Sequence, residues 1–301
     1  MAVVSLTKRL LNPQAGATHS TRIGHIPLVL PEASPLSPAS WLALPYTLLT
    51  PSVGDVAAVV LVLCGAGDNR YAFKLVLFRA LLEHSMAVLT IDPPGHGDFL
   101  AQPCTRRNLQ AACTTAIDWL AETHPAARIG VLGISLGGCQ ALDLASRDAR
   151  VQAVVSVSTP VHLQPITRKL IAREVLQLGL PRNLALLRHF ALPALWSEWR
   201  SVKGAWFGES LYDLVAGFEP LHAVRAIGAR PKLFVHGTRD VAVPPSHAQQ
   251  LYDSALSEKA LMWVRQATHL SVILFEQEMR QVARWLRAKL SADYPARTEG
   301  G

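Results

Sequence analysis

No apolar run in this 301-residue chain reaches the ~18 residues that cross a bilayer without meeting a charge or a turn signal. A membrane-spanning helix is therefore not expected. Cysteine is scarce: the four, at positions 64, 104, 113 and 139, show no close pairing motif. That excludes a disulfide framework and reads as reduced thiols in a cytosolic compartment. No pair of histidines has metal-ligand spacing, so neither a metal nor a cofactor is expected. There is no internal repeat and no basic stripe interleaved with aromatics, which leaves nucleic acid without a case as partner.

Acidic residues are absent before Glu32. The opening Met1-Ala-Val-Val-Ser-Leu-Thr-Lys-Arg lacks a signal peptide's order of basic start, apolar core and cleavage site. An organelle transit peptide stays open beside the cytosolic address. Charged residues make up only 17% of the chain while half of it is apolar, so one large core is affordable and disorder belongs at the ends. The formal charge of +7 suits an anionic substrate or an acidic partner, or carries no functional meaning at all.

The most informative stretch is 129–139, Ile-Gly-Val-Leu-Gly-Ile-Ser-Leu-Gly-Gly-Cys. A β-branched run ends at Gly133, and a helix-compatible run starts just after Gly138. Between them, Gly133-x-Ser135-x-Gly137 has the pattern of a strand–turn–helix elbow that lifts a serine hydroxyl out of the backbone. The amides of the serine and its successor are expected at the following helix N-terminus, where an oxyanion is stabilised.

A serine hydroxyl is a weak nucleophile and needs a base, which in turn needs a carboxylate to fix its tautomer. Downstream, Leu233-Phe-Val235 reads as a strand broken by His236-Gly237, with Asp240 in the following loop. Leu261-Met-Trp-Val264 reads as another strand, and His269 follows it before the final helix. Singly, Asp240 reads as a turn aspartate and His269 as a solvated loop histidine. In the order Ser135, Asp240, His269, on three post-strand loops, they read as nucleophile, orienting acid and base.

His247 is a rival base but falls at a helix start too close to Asp240; His96 and His236 read as loop-holding residues. The apolar strand Ala57–Leu63 runs into Cys64-Gly65-Ala66-Gly67, whose glycines let the backbone present an amide. Ala66 and Leu136 are the expected oxyanion donors through their backbone N–H groups.

Taken together, the chain resembles the α/β-hydrolase superfamily from about residue 55 to residue 290. The likeness rests on Cys64-Gly-Ala-Gly, Asp92-Pro-Pro-Gly-His-Gly, Gly-Ile-Ser-Leu-Gly-Gly, His-Gly-Thr-Arg-Asp-Val-Ala-Val-Pro and Ala-Thr-His, in that order. One departure is Cys64, where the family commonly carries histidine; because the donor is a backbone amide, this touches loop packing and not the chemistry. Cys64 reads as a small buried residue. A serine at the elbow disfavours dehalogenase and epoxide-hydrolase chemistry, which use aspartate there.

The resemblance implies a mostly parallel central sheet flanked by helices, with a helical cap. The expected organisation is an arm at 1–40, a core at 41–159 and 223–291, a cap at 160–222 and a flexible tail at 292–301. Cap helices are expected near Ile166–Leu178, Arg182–Phe190, Leu195–Val202 and Leu211–Ala216, and early strands at Arg22–Leu30 and Trp41–Leu49. Trp196, Trp199, Trp206 and Phe207 either line an apolar pocket for substrate or merely pack the cap.

The expected activity is cleavage of a carboxylic ester through an acyl-enzyme. Its rivals are an acyl-thioesterase or acyltransferase, with an acidic acyl carrier protein as partner; peptide cleavage; and a non-catalytic ligand receptor on the same scaffold.

Overall fold

The strand β3 (Ala58–Leu63) is buried on both faces along its whole length, which is why its sequence is a continuous apolar run rather than an alternating one. In the computed structural model, residues 19–28, 42–52, 56–165, 167–177, 179–186 and 204–291 are described. They build an eight-stranded sheet in the order β1-β2-β4-β3-β5-β6-β7-β8. The other strands are β1 (His19–Leu28), β2 (Leu42–Pro51), β4 (Ala87–Ile91), β5 (Arg128–Ile134), β6 (Val151–Val157), β7 (Lys232–Gly237) and β8 (Lys259–Val264). β1 and β2 pair antiparallel, β2 joins β4 antiparallel, and every pairing from β4 to β8 is parallel.

Successive side chains of a strand point to opposite faces, and the core divides accordingly. Val59, Leu61 and Leu63 face one layer. That layer contains α2 (Arg106–Thr123), α3 (Leu136–Arg147) and α7 (Pro220–Ala226), packing through Ile117, Leu120, Leu142 and Val224. Val60 and Val62 face the other, where α1 (Leu75–Glu83) and α9 (Glu276–Lys289) contribute Phe78, Leu81, Val282 and Leu286.

Between β6 and β7 the chain inserts α4 (Arg168–Gln177), α5 (Pro181–Leu186) and α6 (Leu211–Phe218). The first falls within the stretch where a helix is expected and the second starts at Pro181, just before its own, the bounds at 166, 178 and 187–190 lying outside the described residues. The expected helix at 195–202 lies outside the described residues, as do Trp196, Trp199 and the tail. α6 runs to Phe218, two residues past the expected end, because Leu214, Val215 and Phe218 pack against Cys104, Leu109 and Leu136. The last helix, α9, follows a short 3-10 turn at Val272–Leu274, and α8 (Ser246–Ser254) links β7 to β8.

Of the strand boundaries that differ from expectation, two are instructive. β1 begins at His19, inside the segment assigned to an arm, because its backbone ladder with β2 extends beyond the apolar pattern. β7 continues through His236 and Gly237, which pair with Trp263 and Val264. A side chain at Gly237 would stand 2.4 Å from the Ala267 carbonyl oxygen, so glycine serves close packing at the strand end instead of ending the strand. Among the described residues no helix is long and apolar enough to cross a membrane.

Candidate active site

All the residues of interest lie on loops that leave the carboxyl ends of parallel strands, where open α/β sheets bind ligands. The elbow after β5 is built by backbone crowding. A Cβ on Gly133 would sit 2.0 Å from the Gly137 carbonyl oxygen, and one on Gly137 would sit 2.4 Å from that of Leu63. Only glycine admits that approach. Ser135 itself has φ 54° and ψ −119°, a strained conformation for a residue bearing a side chain, of a kind that costs ~1–3 kcal/mol. Such strain persists only where the surroundings enforce it, and it presents the hydroxyl toward the loops after β7 and β8.

His269 Nε2 lies 3.1 Å from Ser135 Oγ, and His269 Nδ1 lies 2.8 Å from Asp240 Oδ2. The three residues picked out by order along the chain thus meet in one hydrogen-bonded line. Asp240 is buried, and its other oxygen accepts from the Val243 N–H at 2.8 Å. Burial opposes its charge, but His269 beside it and hydrogen bonds from His236 and His269 hold its carboxyl well below the usual carboxylate range. Burial likewise opposes charge on His269, yet Asp240 and then Glu174 raise its affinity for a proton above the ordinary histidine value.

The rival histidines have other occupations. His247 is buried, accepts from the Val161 N–H at 3.0 Å and stacks on His162, and burial pushes its pKa down to about 4. His236 Nε2 reaches the Val243 carbonyl at 2.8 Å and Asp240 at 3.3 Å. His96 Nδ1 contacts the Pro94 carbonyl at 3.0 Å, inside its own turn. Among the described residues no group of histidine, cysteine and carboxylate side chains is placed to hold a metal ion.

The elbow corrects one expectation about amides. The Ser135 N–H donates to the Val157 carbonyl at 2.8 Å and is committed to β6. Leu136, the first residue of α3, makes no such commitment among the described residues, and neither does Ala66 in the loop after β3. That loop lies against the nucleophile: a Cβ on Gly65 would be 3.4 Å from the Ser135 Cβ, and Gly67 adopts φ +77°. Cys64 is buried with its thiol pushed up to about 12 by burial, an inert packing residue at the loop's start.

Side chains that sequence reasoning passed over hold these loops. After β3, the buried Lys74 ammonium pairs with Asp68 and donates to the carbonyls of Asn69 at 2.7 Å and Ala72 at 2.8 Å. The buried Arg70 pairs with Asp92, whose carboxylate also accepts the backbone N–H of Arg70 and of Asp98, each at 2.8 Å. A cation seven residues past a glycine turn was the available signal for Lys74. For the histidine loop no local signal existed. Asn183 of α5 donates to the Gln266 carbonyl at 3.0 Å and accepts from the Ser271 hydroxyl at 2.9 Å. Arg182 donates to the Arg265 carbonyl at 3.0 Å.

Of the four aromatic residues expected near substrate, two are described. Trp206 is half exposed, its backbone bonded to Gly95 and Cys104 in the turn after β4. Phe207 meets His96 edge-on at 5.6 Å between ring centroids. Both therefore dock the insertion onto that turn.

Known proteins share this fold. A cold-adapted esterase from an Arctic intertidal metagenomic library superposes with a TM-score of 0.61 at 14% identity, covering 92% of this chain and 97% of its own. A hypothetical protein from Pseudomonas aeruginosa gives 0.65 at 18% identity, covering 92% and 96%. A monoacylglycerol lipase from Paleococcus ferrophilus gives 0.59 at 20% identity, covering 82% and 99%. At these identities the likeness shows the fold alone. No curated protein matches the chain in sequence. The family model described as serine aminopeptidase, S33, matches residues 54–278, three quarters of the chain and every loop discussed above. The chain belongs to that family, within the α/β-hydrolase superfamily.

Proposed function

We propose that the protein is a serine hydrolase that cleaves a carboxylic ester through an acyl-enzyme. The observation that carries this reading is the unbroken line from Ser135 Oγ through His269 to the buried Asp240 carboxylate, at 3.1 and 2.8 Å. His269 Nε2 takes the Ser135 proton as Oγ attacks the ester carbonyl, and Asp240 holds the Nδ1–H tautomer and stabilises the imidazolium. The N–H groups of Ala66 and Leu136 receive the developing oxyanion, each such donor being worth about 10²–10³ in turnover. His269 then protonates the departing alcohol, and a water, deprotonated by the same imidazole, releases the acid.

The base works only when neutral. Because Asp240 and Glu174 raise the His269 pKa, kcat/KM falls on the acid side of a limb lying above the ordinary histidine value. The insertion at 160–222 is read as a cap over the site, docked onto the turn after β4 through Trp206 and Phe207. The names of esterase and lipase neighbours agree with an oxyester, while the family model's description, serine aminopeptidase, keeps peptide cleavage as the alternative.

A thioester on an acidic acyl carrier is the second reading, favoured by the charge of +7 and by the exposed Arg168, Lys169 and Arg173 of α4. Comparing kcat/KM for matched oxyesters and thioesters separates the two. Ser135→Ala is expected to lower hydrolysis of p-nitrophenyl acetate by about 10⁴-fold or more and to abolish fluorophosphonate labelling. Turnover at the wild-type rate in that variant ends the proposal.

A further inference from the structure

On α4, Glu174 alone among the described side chains is buried, at 4% exposure, whereas Arg168, Lys169, Ala172, Arg173 and Leu176 face solvent. An amphipathic helix ordinarily turns its apolar residues inward and its charges outward. A carboxylate buried in their place needs a reason, since its desolvation costs free energy unless hydrogen bonds replace water. The bonds it makes are specific. Oε1 accepts from the Leu270 N–H at 3.1 Å, and Oε2 accepts from the Val241 N–H at 3.4 Å. Leu270 immediately follows His269, and Val241 immediately follows Asp240. One side chain from the insertion therefore bridges the loops after β7 and β8 at the residue next to each reacting group.

We propose that Glu174 is a positioning residue, a carboxylate clamp that aligns His269 with Asp240 and makes that alignment depend on the seating of α4. This rests on the reading of Ser135, His269 and Asp240 as the catalytic machinery. A loop that drifts by an ångström lengthens both bonds of His269, and such displacement costs on the order of 10²-fold in rate. The clamp also has a charge. The groups that act on the His269 imidazole are Asp240 from the loop after β7 and Glu174 from α4, with the Ser135 hydroxyl across from them and His236 behind Asp240. Both carboxylates favour the imidazolium that forms in the transition state. Asp240 does so by contact and Glu174 at longer range.

The test compares wild type with Glu174→Gln, which keeps an acceptor oxygen but no charge, and Glu174→Ala, which removes the clamp. Amide hydrogen exchange at Leu270 and Val241 is expected to quicken by about tenfold or more in Glu174→Ala. In Glu174→Gln the imidazole of His269, followed by NMR, is expected to titrate at lower pH than in wild type, and the acid limb of kcat/KM to move with it. The rate on p-nitrophenyl acetate is expected to fall in kcat, by about tenfold in Glu174→Gln and further in Glu174→Ala, with KM little changed. Unchanged exchange in Glu174→Ala, or an unmoved His269 titration in Glu174→Gln, overturns the proposal. A drop in melting temperature alone, without either signal, reduces Glu174 to ordinary packing and also overturns it. Should Glu174→Ala not fold, the Glu174→Gln titration and exchange decide. These readouts need no turnover, so they stand apart from the Ser135→Ala result that judges the hydrolase reading itself.

Discussion

The elbow after β5 and the loop after β8 each deliver one reacting side chain to the same spot, yet they are held by opposite means. The elbow is self-built. Gly133, Gly137 and Gly138 remove the side chains that would collide, and the contacts that shape the turn lie within a few residues or in the neighbouring strands β3 and β6. The histidine loop has local bonds of its own, from the Ala267 N–H to the Val264 carbonyl and from the Val272 N–H to that of Thr268, but it also leans on distant side chains. Its Thr268 N–H finds the Ser271 hydroxyl at 2.9 Å, but Ser271 is itself fixed by Asn183, 88 residues upstream, and Gln266 and Leu270 are fixed by Asn183 and Glu174. Sterics close to the strand place Ser135; polar side chains from an insertion help to place His269. Ser135 is thus fixed by its own turn, and on the proposed clamp His269 depends also on the seating of the insertion.

That contrast can be broken or sharpened by mutation. The largest effect is expected from Asp240→Asn, which keeps the shape of the acid loop but offers an amide where His269 Nδ1–H needs an acceptor. A kcat lower by about 10⁴-fold, with little change in melting temperature, is expected in a steady-state assay. A modest loss would mean that the loop's shape, rather than its charge, orients the imidazole.

Gly133→Ala attacks the self-built side. A methyl 2.0 Å from a backbone oxygen cannot be absorbed by a flexible neighbour. Destabilisation of about 3 kcal/mol is expected in denaturant titration, with activity lost in proportion to folded protein. Normal stability in this variant would show that the elbow can relax, and the contrast with the histidine loop would collapse. The smallest effect is expected from Asn183→Ala, which leaves the Ser271 hydroxyl short of a partner and the Gln266 carbonyl unpaired. It should cost about 1–2 kcal/mol of stability and lower kcat by roughly tenfold, leaving the elbow's amide exchange untouched. Faster exchange at Ser135 and Gly138 would instead couple the two loops.

Legibility followed the same division. The elbow, the acid loop and the order of the three reacting residues were readable because each is written in a contiguous stretch whose meaning is local: a tight turn, a strand end, a glycine where two backbones touch. The sequence ends β7 two residues too early because His236-Gly237 looks like punctuation, whereas Gly237 makes room for Ala267. The Ser135 amide reads from sequence as lying at a helix N-terminus, but β6 claims it through Val157. Arg70, Lys74, Asn183 and Glu174 escaped altogether. Nothing in a single sequence says that a glutamate on an amphipathic helix faces inward, or that its partners are backbone amides 67 and 96 residues away.

By itself the sequence determined the α/β architecture and which candidate residues, Ser135, Asp240 and His269, stand on post-strand loops and in what order, because strand periodicity, glycine placement and turn composition act over a few residues at a time. Only the tertiary structure decided which amides stay available, which charges are buried and what aligns the imidazole. Those are outcomes of desolvation and hydrogen-bond pairing between segments far apart in the chain, and such pairings exist only once the chain has closed on itself.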